Sequence, residues 1–303
     1  MAQSQSLMRT FWSRVSFRFH TFKHLKRCGH GTEMRTITIW ASEVGALAGY
    51  SEFRDPTEAA ERIWKRSIPW SWSKYEAEHG PSEWHAREQE ESKHRFIMDG
   101  LLDEYNKPTT PGTRFRRIAN AWIPPVPLPR LQRVQRDYIE GLDDPRSVID
   151  YVNRQGMFVV GNDLEYGASL QWARDSGHEL TDRQLSKEIG IQSTDYPLST
   201  RMEIVIKGKC DGIVDGCSIY EGKIRINAYN SFIRPSEVAQ VQTYMHLMDK
   251  NKTHFVQTSR CLRWQYETII DRDPSYMGRL IRDALSTLSS HRFHMFHEGL
   301  SAA

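Results

Sequence analysis

The sequence predicts an α/β fold, and three stretches carry that prediction. Thr36 to Trp40 is a short β-prone run that leads straight into helix signals. Met202 to Ile226 alternates around a turn near Asp215-Gly216, as a β-hairpin does. From Pro235 a helix places Val238, Val241, Met245 and Met248 on one stripe, followed by strands at 253–259 and 262–270 and a closing helix at about 274–290. With 39% hydrophobic and 26% charged residues and a mean hydropathy of −0.62, the 303-residue chain reads as globular rather than disordered. No apolar run approaches the roughly 18 residues that a membrane span needs, so no membrane partner is expected.

The elements follow in order. Residues 1–33 form a basic leader expected outside the fold: 1–32 hold six Lys or Arg and no Asp or Glu, with Leu7, Phe11, Val15, Phe22 and Leu25 spaced among them. A transit peptide and a nucleic-acid-binding arm would both look like this. The other 271 residues carry 35 basic and 38 acidic groups, so the sequence pI near 8.6 comes from the leader and is no footprint of a basic body. One domain is expected over 34–303. Ser42 is the expected N-cap of a brief helix ending at Gly49, and Asp55, Pro56 and Glu58 supply N-cap, N1 proline and capping-box acid for a helix over about 56–66. Residues 67–150, Trp- and Glu-rich and then proline-rich, lack apolar periodicity and read as an insertion or wrapping arm. Gly161 precedes a helical pattern that presents Glu165 and runs through Trp172.

Cys28, Cys210, Cys217 and Cys261 show no C-x-x-C spacing, which argues against a zinc ribbon, an iron–sulfur cluster or a disulfide scaffold and leaves four reduced thiols. His291, His294 and His297 recur every third residue, and successive positions at that step drift around a helix axis, so they read as a solvated tail.

The chemistry-bearing stretch is Asp211-Gly212 on one arm of the hairpin and Glu221-Gly222-Lys223 on the other. Glu221 and Lys223 share a face because strand side chains alternate. A three-residue loop over 215–217 would set Asp211 opposite Glu221; a two-residue loop would set Cys210 there instead. Opposed carboxylates repel unless a cation lies between them, and hard oxygen ligands suit Mg²⁺ or Mn²⁺. Lys223 beside such an ion can orient or help deprotonate an attacking water, or neutralise charge growing on a phosphate. The bland alternative is a cross-strand salt bridge. Glu91-Ser92-Lys93 is a chance instance of the same spacing, without a partner strand. Gln240 and Tyr244 form an i, i+4 pair on one helix face beside the apolar stripe.

In order and spacing these elements resemble the PD-(D/E)xK nucleases, and within them the phage lambda-type exonucleases and YqaJ-like viral recombinases, over about 35–66 and 158–290. Ala41-Ser42-Glu43 looks like the family's alanine-serine-glutamate motif, with Arg35 seven residues before Ser42; Gly161 and Glu165 look like its glutamate helix, Asp211 its metal-binding aspartate, Glu221 and Lys223 its catalytic pair, and Ala239-Gln240-Val241-Gln242 its glutamine helix. Gly222 departs from the family's usual apolar residue, and Lys209 and Cys210 stand where small residues or proline are common.

The resemblance implies a restriction-endonuclease-like core, a central mixed β-sheet flanked by helices. It implies Mg²⁺ (or Mn²⁺) on Glu165, Asp211 and Glu221, catalysis by these with Lys223 and Gln240, and substrate contacts from Arg35, Ser42 and Tyr244, the first two on a terminal 5′ phosphate. The implied activity is hydrolysis of linear duplex DNA from its ends, 5′ to 3′, in recombination, repair or DNA processing. The implied partners are DNA, a single-strand annealing protein and further copies of the chain in a ring-shaped trimer. The expected setting is intracellular: an organelle such as the mitochondrion if the leader is a transit peptide, otherwise the nucleus or a viral replication site. A structure-dependent or RecB-like endonuclease on the same site, and a DNA-end-binding recombination partner with weakened turnover, are the alternative readings.

Overall fold

Short apolar alternations and well-placed prolines divide the chain into strands and helices. The structure is a computed structural model, and it describes residues 18–20, 35–95, 97, 133–192, 202–225, 232–259 and 265–290. Its first half holds β1 (Arg18–His20), β2 (Arg35–Trp40), α1 (Ala41–Leu47), α2 (Pro56–Ser67), α3 (Pro69–His79), α4 (Glu83–Ser92), α5 (Arg133–Glu140) and the long α6 (Pro145–Ser176). Then come β3 (Leu180–Thr181), β4 (Ser186–Gln192), β5 (Met202–Lys209), β6 (Gly212–Val214), β7 (Ser218–Arg225), α7 (Pro235–Met248), β8 (Lys252–Ser259), β9 (Gln265–Asp271) and α8 (Pro274–Ser290). The fold is α/β, with mixed sheets flanked by helices. The strands divide between two sheets, ordered β1-β4-β5-β2 and β3-β6-β7-β8-β9.

The division has a local cause. Met202 to Asp215, expected as one strand, breaks at Cys210 and Asp211, and the antiparallel chain beside it breaks at the same level. Ser186 faces Lys209 below the break and Thr181 faces Ile213 above it. Between them the Cys210 N–H donates to the Leu185 carbonyl at 3.1 Å and the Gln184 N–H to the Asp211 carbonyl at 3.4 Å. Asp182 and Gln184 take φ of 44° and 61°, so one chain bulges where the other bends. The two sheets are thus halves of one ladder with Asp211 at its seam.

Period-two burial builds the larger core. Ile37 and Ile39 of β2 lie in register with Ile204 and Ile206 of β5, and all four point beneath Val44, Leu47, Ile63, Trp64 and the apolar stripe of α8. Trp72 of α3 and Trp84 of α4 belong to this core, and the Trp84 indole N–H donates to the buried Glu61. Residues 69–92, expected within an irregular arm, are therefore helical and packed on the main core. The proline-rich stretch from Pro108 to Pro129 and the three C-terminal histidines lie outside the described residues. Arg18–His20, expected outside the fold with the rest of the leader, pairs antiparallel with β4 as an edge strand.

Three helix starts show what the local sequence determines. Asp55 caps α2 by accepting the Thr57 N–H at 2.7 Å, while Glu58 turns to Arg62 at 3.0 Å instead of closing a capping box. The N-cap of α1 is Trp40, not Ser42: Glu43 accepts the Trp40 N–H at 2.9 Å and is itself gripped by both terminal nitrogens of Arg66, each at 2.8 Å. Gly161 starts no helix; it sits inside α6, whose N-terminus is capped by Asp144 ahead of Pro145.

At the crossing of α1 and α7, a Cβ added at Gly45 would stand 3.0 Å from the Ala239 Cβ and 3.4 Å from the Ser236 backbone. The bare glycine lets α7 lie close enough to present Gln240. Gly45→Val is expected to lower stability by about 1–3 kcal/mol through overpacking. An unchanged urea midpoint would show that the two helices can separate at no cost.

Candidate active site

The register of the β6–β7 hairpin decides which residues meet. Its turn has three residues, Asp215 to Cys217, with Asp215 at φ 49° and Gly216 at φ 69°, so Val214 faces Ser218 and Gly212 faces Tyr220. One step further, Asp211 stands opposite Glu221. β6 begins only at Gly212, so beyond Tyr220 the neighbouring edge of β7 has no strand partner among the described residues. The Gly222 N–H on that edge donates to Asp211 Oδ2 at 2.9 Å, so the carboxylate takes the place of the missing carbonyl.

Glu221 is 2% exposed. Its Oε1 accepts from Lys223 Nζ at 2.5 Å and from Gln240 Nε2 at 3.2 Å, while its Oε2 has no hydrogen-bond partner. Gln240 Nε2 also donates to the Tyr244 hydroxyl at 2.7 Å. Two residues past Lys223 on the same face, Arg225 donates to both oxygens of Glu237 at 2.8 and 2.9 Å and to Gln257 at 2.7 Å, tying the start of α7 to β7.

Burial and crowding of like charge set the electrostatics. Burial, with the charge of Asp211 added, pushes Glu221 up to about 8 against the opposing pull of Lys223. Lys223 moves the other way from what burial favours: Glu221 and Asp211 hold it as an ammonium, its pKa raised above the ordinary value. Burial lifts Glu165 to about 7, Asp211 adding to the rise and Lys223 opposing it. Trp172, seven residues past Glu165 on α6, packs on Val214, Tyr220 and Val256, while α7 brings Gln240 to Glu221. Alternating residues of β7 thus face different helices, and the acids are approached from both sides of the sheet. Burial, with Glu221 and Asp211 behind it, pushes the Cys210 thiol up to about 12, which rules it out as a nucleophile near neutral pH.

Among the described residues no group of three or more His, Cys, Asp and Glu side chains forms a ready metal cluster. The donor chemistry nonetheless fits a hard divalent cation, because carboxylates are brought together against their repulsion and Glu221 Oε2 is buried without a partner. Asp211 and Glu221 are the pair placed to share it, and Glu165 is linked to them only by its charge.

Of the residues singled out in the sequence, Asp211, Glu221, Lys223, Gln240 and Tyr244 meet through hydrogen bonds or register, and Glu165 through its field. Tyr244, expected to touch substrate, is buried with its ring over Gly208, where a Cβ would come within 3.0 Å of it. It supports Gln240 instead. Ser42 is exposed in the first turn of α1, and no described hydrogen bond links it to the acids. Arg35 opens β2 opposite Met202, and its side chain lies outside the described set. The sequence reading missed Gln184, whose amide donates to Asp211 Oδ1 at 3.4 Å, its neighbour Arg183, and the Arg225–Glu237 tie. Only the last left a signal, in the alternation Glu221, Lys223, Arg225.

No protein-family model matches the sequence, and no curated protein matches it. Among solved structures the chain is similar to an alkaline exonuclease, LHK-Exo, from Laribacter hongkongensis, at 16% identity and a TM-score of 0.36, over 62% of this chain and 91% of that one. It is similar to SSO0001 at 16% identity and a TM-score of 0.36, over 65% and 87%. It is also similar to a phage-related exonuclease from Haemophilus somnus 129PT at 13% identity and a TM-score of 0.33, over 68% and 94%.

The raised carboxylate pKa values fix a pH dependence. Between the ordinary glutamate value of 4.5 and about 8, the unfolded chain ionises before Glu165 and Glu221 do, so metal-free stability falls as pH rises and levels off above that window. A divalent cation favours the ionised forms, so Mg²⁺ is expected to raise the Tm more at about pH 8.5 than at about pH 5. Equal shifts at both pH values in thermal melts would dissociate these carboxylates from metal binding.

Proposed function

We propose that the chain is a Mg²⁺- or Mn²⁺-dependent deoxyribonuclease that shortens linear duplex DNA from its ends, 5′ to 3′, in DNA recombination, repair or processing. The observation that carries this reading is the Asp211 carboxylate bonded to the Gly222 N–H beside the buried Glu221, with Lys223 on Glu221 and one carboxylate oxygen left without a partner. A plain cross-strand salt bridge would need neither the second acid nor the bare oxygen.

Asp211, Glu221 and Glu165 would hold the cation, which would supply Lewis acidity at the scissile phosphate and lower the pKa of water. Lys223, held as an ammonium, can orient that water and donate to charge growing on the phosphate oxygens. Gln240 fixes the Glu221 rotamer through Oε1, and Tyr244 fixes Gln240. Gln184 and the Gly222 N–H hold the two oxygens of Asp211. Arg35 and Ser42 are assigned to a terminal 5′ phosphate on the resemblance alone, which is also the source of the polarity.

End-labelled linear duplex and closed circular duplex, each incubated with Mg²⁺, test this directly. Loss of the linear DNA from its 5′ ends with the circle intact is the expected result, and EDTA should abolish it. Cutting of the circle would favour the endonuclease reading, and binding without cleavage the end-binding one. Asp211→Asn and Lys223→Ala should each lower kcat/KM by at least about 10²-fold. Digestion by either variant at the parental rate would remove the site from the mechanism.

A further inference from the structure

Beside Glu165, helix α6 turns an apolar stripe to solvent. Tyr166 is 63% exposed and Leu170, one turn on, 43%. The Arg183 guanidinium lies 4.6 Å from the centroid of the Tyr166 ring. Arg183 is held between Asp182 and Gln184, both at positive φ, in the bulge stitched to the Asp211 segment by the Gln184 N–H and amide bonds, each 3.4 Å. Non-glycine residues in that conformation are uncommon and cluster at functional sites.

Among the described residues two other exposed aromatic rings carry a cation, and the comparison separates them from this one. Arg234 lies over Phe53 but is also 3.9 Å from the carboxylate of Glu52, and Lys207 lies over Trp40 but is 3.5 Å from that of Glu188. Among the described residues no carboxylate forms an ion pair with Arg183, although its neighbour Gln184 touches Asp211. A guanidinium fork with no acid, mounted on an open aromatic beside an acidic centre, matches one polyanion chemistry: a phosphate for the fork and a flat base for the ring and the leucine.

We propose that Arg183, Tyr166 and Leu170 form a subsite for one unpaired nucleotide of the strand being processed, the phosphate on Arg183 and the base on the shelf of Tyr166 and Leu170. The inference rests on the nuclease reading and deepens it: a base can lie on Tyr166 only when no neighbouring base covers that face, so this subsite takes a nucleotide unstacked from the next one in its strand.

The test uses the full chain with a fluorescein-labelled single-stranded oligonucleotide, Ca²⁺ replacing Mg²⁺ for anisotropy, and Mg²⁺ for digestion of linear duplex. A single abasic spacer is moved along the oligonucleotide. Tyr166→Ala is expected to weaken binding about tenfold and Tyr166→Phe to restore it, since stacking needs the ring and not the hydroxyl. A spacer at one position should weaken the parent by a similar factor and leave Tyr166→Ala unaffected. Arg183→Ala should weaken binding and lower the salt slope by about one. If the parent digests DNA while Tyr166→Ala binds as tightly as it does, or if spacer and substitution effects simply multiply, the subsite is overturned and the nuclease reading stands. If the parent neither binds nor digests DNA, both fall together.

Discussion

Asp211 stands where a β-ladder stops, and the site depends on that. The bend at Cys210 and Asp211 removes the strand that would have continued alongside β7, and the Asp211 carboxylate fills the gap by accepting the Gly222 N–H. This bond holds an acid opposite Glu221. When both are ionised the two carboxylates repel, and burial strengthens that repulsion. The chain answers with an ammonium on Glu221 Oε1, an amide beside it, and a Glu221 pKa that burial pushes up to about 8.

The rest of the fold keeps those partners in place. Arg225 ties the first turn of α7 to β7, and Gly45 lets α1 seat the same helix closely, so Gln240 reaches Glu221 from one side of the sheet. From the other side α6 is anchored by Trp172 on Tyr220 and Val256 and carries Glu165 toward the acids. The bulge at Asp182 to Gln184 serves both the seam and the site, since Gln184 bonds the backbone and the side chain of Asp211. A single irregularity in the ladder therefore positions Asp211, braces it and displays Arg183.

Much of this was legible because it obeys local rules. Alternation placed Glu221 and Lys223 together and proline at N1 marked α2 and α7, while the sequence left two turn lengths open and the structure shows the three-residue one. What was not legible depends on neighbours distant in sequence. Gly208 and Gly212 flank the break at Cys210 and Asp211, but glycines within a strand pattern do not by themselves locate a break that is made jointly with a bulge some 28 residues earlier. Asp tolerates positive φ but also occurs commonly without it, and Gln184 gives no such signal, so Arg183 and Gln184 went unread. Gly161 resembled a helix start and is tolerated inside α6. Tyr244 shared a face with Gln240 as its spacing required, but only the small Gly208 beneath it shows that the ring is buried.

Glu221 and Glu237 provide an internal comparison between a carboxylate left with a bare buried oxygen and one with both oxygens satisfied. Each is buried and each meets a basic residue of β7, Lys223 for one and Arg225 for the other. Burial pushes both upward, yet for Glu237 the hydrogen bonds and charge of Arg225 outweigh it and hold the carboxyl below the usual range, while Glu221 ends near 8. Burial is heavier at Glu221, and there a second acid, Asp211, adds to the rise, while both Glu237 oxygens are satisfied by a bidentate guanidinium. A protein that needed only a rigid hairpin would gain from repeating the Arg225 arrangement at Lys223. The retained bare oxygen and the retained repulsion are both relieved by one added divalent charge, which is why the Asp211 and Glu221 pair, and not the better-satisfied pair beside it, is read as the working centre.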